Sequence, residues 1–159
     1  MAVSQTQLQQ VDALVAARFP QYTYVHPESF IVNATVPANQ TPGQYTNSNI
    51  IVNGSSYTSF PVPQSWVAVV TDLYITAASA DVTDVQVKIL KNNIKTLAVT
   101  APLSANIVTN PSRPGLAAPY LYEPNSSLQL PTAPTATAGT TTTTDIFFVD
   151  VKIYDSSYQ

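Results

Sequence analysis

Residues 144–154, TDIFFVDVKIY, decide the fold class. Phe147, Val149, Val151 and Ile153 recur at every second position, the period of a strand, and are expected to point inward. Ile146, Phe148 and Tyr154 occupy the opposite face. A strand that is apolar on both faces needs cover on both, so this one is expected at the centre of a sheet. Residues 66–77, WVAVVTDLYITA, read the same way. Val67, Val69, Leu73 and Ile75 share the face expected to point into a core, although Thr71 interrupts it. Trp66, Ala68, Val70, Asp72 and Tyr74 share the other face, which is also mostly apolar and should be covered by a helix, a loop or a partner.

The rest of the chain after residue 28 keeps this period of two. Phe30 to Val36 is a strand candidate, followed by a turn region from Pro37 to Tyr45 that contains Pro42-Gly43. Asn49 to Val52 precedes Asn53-Gly54, a pair suited to a two-residue hairpin turn, and Ser55 to Phe60 returns from it. Thr83 to Leu90 alternates cleanly, and Asn92-Asn93 joins it to Ile94–Val99 in the most secure hairpin of the sequence. A candidate strand covers Ala105 to Val108. Tyr120–Tyr122 and Ser127–Leu130 are short strands separated by Glu123-Pro124-Asn125-Ser126. Pro131 to Thr143, PTAPTATAGTTTT, is low in complexity and is expected to form a long exposed loop.

The start of the chain has a different period. In SQTQLQQVDALVAARF, Ser4 is a helix cap with Gln7 three residues on, as a capping box requires. Leu8, Val11, Leu14 and Val15 fall on one face, and Arg18 suits the last turn. Pro20 ends the helix, which is expected over residues 4 to 18. Gln21 to Pro27, with Tyr22, Tyr24 and His26, reads as an extended arm. The division is therefore a helix and arm over 1–27 and a β domain over 28–159. Helix and arm can dock on their own domain or on a neighbouring subunit, and the contacts for the latter are Leu8, Val11, Leu14, Val15, Tyr22 and Tyr24.

One helix and eight to nine strands with long Pro-rich connections favour an all-β, jelly-roll (Greek-key) β-sandwich with a short N-terminal α-helix. An immunoglobulin-like sandwich is the runner-up. The 159 residues fit one domain. Charged residues are 9% of the chain, against roughly 25% in ordinary globular proteins. The surface is therefore built from Thr, Ser, Asn, Gln and Pro, which are cheaper to bury in a contact than unpaired charges. A net charge of −3 with six scattered Lys and Arg residues gives no basic patch and argues against nucleic-acid partners. With no cysteine there are no disulfides and no thiolate ligands or nucleophiles. The first residues do not read as a signal peptide, and no apolar run is long enough for a membrane span.

The sequence points to no catalytic site, cofactor or metal. His26 is the single histidine, so a triad needs it beside a hydroxyl and a carboxylate that the sequence does not place near it. Asp72, Asp81 and Asp84 could offer oxygens to a Ca²⁺ ion, but their spacing matches no calcium loop. Only two glutamates, Glu28 and Glu123, are available for paired-carboxylate hydrolysis. The four glycines are far apart and form no phosphate loop. Sequons at Asn33, Asn39, Asn53 and Asn125 exceed chance by too little to establish glycosylation. Trp66 and the nine tyrosines are the residues from which a glycan platform would be built.

An N-terminal helix and arm ahead of jelly-roll-like strands, in a chain poor in charge and free of cysteine, resembles the small single-jelly-roll proteins of viral particles. These include minor capsid, penton-like and decoration proteins. The resemblance is architectural, over roughly residues 1 to 155, and implies self-association or attachment to other capsid proteins in a virion. Those proteins commonly carry a basic arm facing the genome. The arm here is not basic, which favours an outer or protein-facing role. The alternative is a carbohydrate- or cell-surface-binding module outside the cell.

Overall fold

A computed structural model describes residues 4–77, 84–92, 94–98, 103–104, 119–134 and 143–157. The chain is all-β with a short N-terminal helix. Helix α1 spans Gln5–Arg18. The Ser4 side chain accepts from the Gln7 backbone N–H, and the Gln7 side chain accepts from the Ser4 N–H, which completes the expected capping box.

Strand β1 covers Tyr24–Val36. Here the arm reading needs correction, because Tyr24 to Pro27 are not an arm but the first residues of β1. Their backbone pairs residue by residue with the C-terminal strand, from Tyr24 opposite Asp155 to Val36 opposite Thr143. Pro27 did mark a break in the sequence pattern, but β3 reaches β1 only at Ile31–Asn33, so the other edge at Pro27 lies beyond that ladder.

The chain continues through β2 (Thr46–Asn47), β3 (Asn49–Val52), β4 (Ser55–Tyr57), β5 (Phe60–Pro61), β6 (Trp66–Ala77), β7 (Asp84–Lys91), β8 (Ile94–Ala98) and β9 (Leu103–Ser104). It ends with β10 (Tyr120–Tyr122), β11 (Ser127–Gln129), β12 (Pro131–Pro134) and β13 (Thr143–Asp155). Both predicted asparagine hairpins form. Val52 faces Ser55 across Asn53-Gly54, which have φ of +50° and +81°, and Lys91 faces Ile94 across Asn92, with φ of +54°. The candidate strand at Ala105–Val108 lies outside the described residues.

One sheet runs β10–β6–β13–β1–β3–β4, and β13 sits centrally in it, as its two-sided pattern predicts. In the second sheet, β11 and β12 follow one edge of β7 in a single register, from Leu128 opposite Lys91 to Pro134 opposite Val85. The β8 and β9 strands must lie on the other edge, because Lys91 also pairs with Ile94 and Val85 with Leu103. Strands β2 and β5 close the far side of β12 and β11. All pairings among the described residues are antiparallel.

The two sheets enclose one core, in which Phe30 and Val32 meet Phe147, Val149, Val151 and Ile153, with Val87, Ile89, Leu128 and Leu130 facing them. Tyr122 spans the sheets, and its hydroxyl donates to the Leu90 carbonyl at 3.1 Å. The facing of β6 corrects the sequence reading. Ala68, Val70 and Leu73 share the core, while Val67 and Val69 point the other way. The cause is a bulge: Val70 opposes Val151 and Asp72 opposes Asp150, leaving Thr71 without a partner position and reversing the alternation beyond it.

A third correction concerns residues 131–143. Pro131–Pro134 are not an exposed loop but the buried strand β12. Composition misleads here because position buries the segment: β12 is inserted between β2 and β7, and small side chains fit there. The Thr132 hydroxyl meets Ser48 Oγ at 3.3 Å. The prolines, which cannot donate to a ladder, stand at its two ends.

Candidate functional site

Helix α1 lies on the outer face of the six-stranded sheet. Val15, 1% exposed, packs on Val67, Val69 and Tyr154, with Val11, Phe19, Tyr22 and Leu121 at the margin. This is the cover that the apolar second face of β6 requires. A polar clamp fixes it: Asp12 Oδ1 accepts from Lys152 Nζ at 2.8 Å and from the Tyr154 hydroxyl. Beyond the helix, the Tyr22 hydroxyl donates to the Gln64 carbonyl at 2.8 Å.

The six helix and arm residues named from the sequence therefore separate. Val15, Val11 and Tyr22 pack on their own sheet, and Leu8 lines a groove beside it. Leu14 and Tyr24 remain 43% and 47% exposed.

The helix covers only part of its face. Beside it runs a groove of about 430 Å³ with Leu8, Val25, Pro27 and Lys152 in its walls. A second groove of about 470 Å³, on Phe19, Pro20 and Val25, lies along the helix end. Beyond these grooves, registers across three strands align an apolar row. Ile31 pairs with Ile51 of β3 on one side and with Phe148 of β13 on the other. Ile31 is 39% exposed and Val25 44%. The row lay hidden in the sequence, although its signal was present: Ile31 follows Phe30 and Phe148 follows Phe147, so both strands are apolar on both faces. Only the register brings the outer members together.

A cluster of ionisable and aromatic groups closes the end of the six-stranded sheet at the start of β1. Asp155, 4% exposed, accepts from Trp66 Nε1 at 3.1 Å and from the Ser157 N–H at 2.8 Å. His26 stands between two carboxylates, Nδ1 3.5 Å from Glu28 and Nε2 3.8 Å from Asp155. The Ser157 hydroxyl donates to Asp155, so the acid stands between the hydroxyl and the imidazole. In a serine triad the imidazole must occupy that middle position, so this cluster is not arranged as one. Trp66 is half-buried, edge-on to His26, with its indole N–H committed to Asp155.

Among the described residues, no three His, Asp or Glu side chains stand together as a metal site. Asp72 Oδ1 accepts from the Leu73 N–H, and Asp81 lies outside the described residues. Asn39, Asn53 and Asn125 each occupy a turn with positive φ, which accounts for asparagine at these positions.

Burial pushes the Asp155 carboxyl up, but the hydrogen bonds from Ser157 and Trp66, with His26 nearby, outweigh it and hold the group below its ordinary 3.8. Asp12 and Glu123 are likewise raised by burial but drawn below their ordinary values by Lys152 and Tyr154 and by Lys91 respectively. Groups depressed in the fold contribute stability above their unfolded pKa and lose it as pH falls through the folded one. Burial and then Asp12 push the Tyr154 phenol well above 10.0, so its contribution is complete below that value and lost as pH rises further. Melting temperature should therefore hold above about pH 5 and fall on acidification. Asp155→Asn should make the acid side shallower, and an acid side unchanged in Asp155→Asn would contradict the assignment.

Comparison with protein-family models and with curated proteins finds no match to this chain.

Proposed function

We propose that this chain is a non-enzymatic structural subunit that works by protein–protein assembly and is built on a jelly-roll sandwich. Support for the jelly roll comes from the strand order, β10–β6–β13–β1 in one sheet against β2–β12–β7 with β8 and β9 in the other. The chain changes sheet between β1 and β2, β2 and β3, β4 and β5, β5 and β6, β6 and β7, β9 and β10, β10 and β11, and β12 and β13. The strands flanking each of these connections thus lie in different sheets, as in paired Greek keys, while β3–β4 and β7–β8 pair as hairpins. By its resemblance to single-jelly-roll proteins of viral particles, the role is that of a minor capsid, penton-like or decoration protein in a virion.

The observation that carries the assembly reading is the apolar row of Ile51, Ile31 and Phe148, with exposed Val25 farther along β1, on the face that α1 leaves partly open. Large apolar groups gathered on one face mark contact surfaces more often than isolated ones do. The carbohydrate-binding alternative has less support. Trp66 is committed to Asp155, which leaves Tyr24 as the exposed ring beside His26.

The test is solution mass by light scattering over a concentration series, for the full chain and for Leu14→Asp, Val25→Asp and Ile31→Asp separately. Mass should rise with concentration, and at least one of the three charges should suppress the rise. A monomer throughout, or association indifferent to all three, overturns the proposal.

A further inference from the structure

We infer that Pro27 bars the open edge of β1 from pairing with a second copy of this chain, by setting on that edge a backbone nitrogen that carries no hydrogen. The inference is independent of the assembly reading, which concerns the face of the sheet and not its edge.

Among the described residues, β3 joins β1 only at Ile31–Asn33, and no other strand or backbone hydrogen bond reaches Val25 to Ser29 on that side. Val25, Pro27 and Ser29 are all exposed. A row of backbone groups left open in this way is a template for a strand of another molecule.

The hairpin tip fixes which way each group on that edge points. Val52 and Ser55 flank a two-residue turn whose central residues, Asn53 and Gly54, both have positive φ. Hydrogen bonds between the flanking residues close such a turn, so the N–H and C=O of Val52 face β4. Backbone groups alternate sides along a strand. Those of Ile51 therefore face β1, where Ile31 meets them. Pro27 lies four residues before Ile31 in an unbroken register with β13, so its backbone groups point the same way as those of Ile31.

The Pro27 nitrogen thus faces away from β13, and the ladder between β1 and β13 loses no bond to it. The missing donor falls on the open edge instead. There Val25 and Ser29 offer both N–H and C=O, while Pro27 between them offers a carbonyl alone, with its ring where an incoming carbonyl needs a donor. A proline at His26 or Glu28 would have taken its donor from the β13 ladder.

Pro27→Thr restores the N–H on a residue suited to strands. Antiparallel pairing of this edge with the same edge of a second copy then gains one bond from position 27 of each chain. Two net hydrogen bonds correspond to about thirtyfold in affinity. In light scattering over a concentration series, Pro27→Thr should therefore associate at concentrations about thirtyfold lower than the native chain. Hydrogen exchange at the Val25 N–H should slow with concentration in the variant and not in the native chain. Adding Val25→Pro to Pro27→Thr moves the block two residues along the same edge and should return association to the native level. Adding Val25→Ala, which keeps the N–H, should not.

A folded Pro27→Thr that associates no more readily than the native chain overturns the inference, as does association that survives Val25→Pro. Single prolines test the geometry without relying on Pro27→Thr. Val25→Pro should leave the urea midpoint close to that of Val25→Ala, whereas Glu28→Pro should fall well below Glu28→Ala. Equal losses from the two prolines would mean that Pro27 does not face the open edge.

Discussion

Replacing Phe147 by alanine should lower the free energy of unfolding by about 3–5 kcal/mol, a large share of the 5–15 kcal/mol that holds a typical domain folded. Phe147 is fully buried in the inter-sheet core, on a strand paired along most of its length with β1 and β6. Removing the ring leaves a void that a sheet held on both edges cannot close. The neighbouring Phe148→Ala is the internal control. Its side chain lies on the outer face, half-buried, and the expected cost is about 1 kcal/mol or less. Urea unfolding of the two variants at constant slope measures the difference directly. Equal losses would mean that β13 does not face as described.

The second large effect is expected at the helix. Val15→Asp should cost about 3 kcal/mol or more, because α1 must either hold an unpaired carboxylate against Val67, Val69 and Tyr154 or leave the sheet. Leaving exposes those side chains and separates Asp12 from Lys152 and Tyr154. Leu14→Asp changes the adjacent residue by the same chemistry at an exposed position, and should stay within about 0.5 kcal/mol. Limited proteolysis gives a second readout: residues 5–18 should become cleavable in Val15→Asp and stay protected in Leu14→Asp. Equal stability of the two variants would remove the docked helix from the description.

These two pairs separate side chains that hold the fold together from side chains that do not. Val15 and its neighbours hold the subunit together, whereas Leu14, Val25 and Ile31 leave its own core almost untouched. On the proposed assembly reading, a charge at Ile31 should alter association while leaving the unfolding midpoint unchanged at concentrations too low for association.

What the sequence determined by itself is the local structure. Ser4 and Gln7 set the helix start, because a capping box closes within one turn. Asn53-Gly54 and Asn92 set two hairpins, because tolerance of positive φ is a property of the residues in the turn. The alternation of Phe147, Val149, Val151 and Ile153 gave β13 its inward face and its central place. Each of these signals spans a few residues and needs no distant partner.

The tertiary structure decided whatever depends on partners far along the chain. Both faces of residues 66–77 are apolar, so hydropathy cannot say which one turns inward. The bulge at Thr71, imposed by pairing with β13, settles it and sends Val67 and Val69 to the helix. Pro131–Pro134 resemble a loop in composition, yet pairing with β2 and β7 buries them. Tyr24 to Pro27 resemble an arm, yet β13 draws them into β1 and brings His26 to Asp155. The row of Ile51, Ile31 and Phe148 exists only through registers joining three separate segments. Periodicity fixes which side chains share a face of one strand, whereas long-range backbone pairing fixes which strands lie side by side, and a contact surface is made from the second.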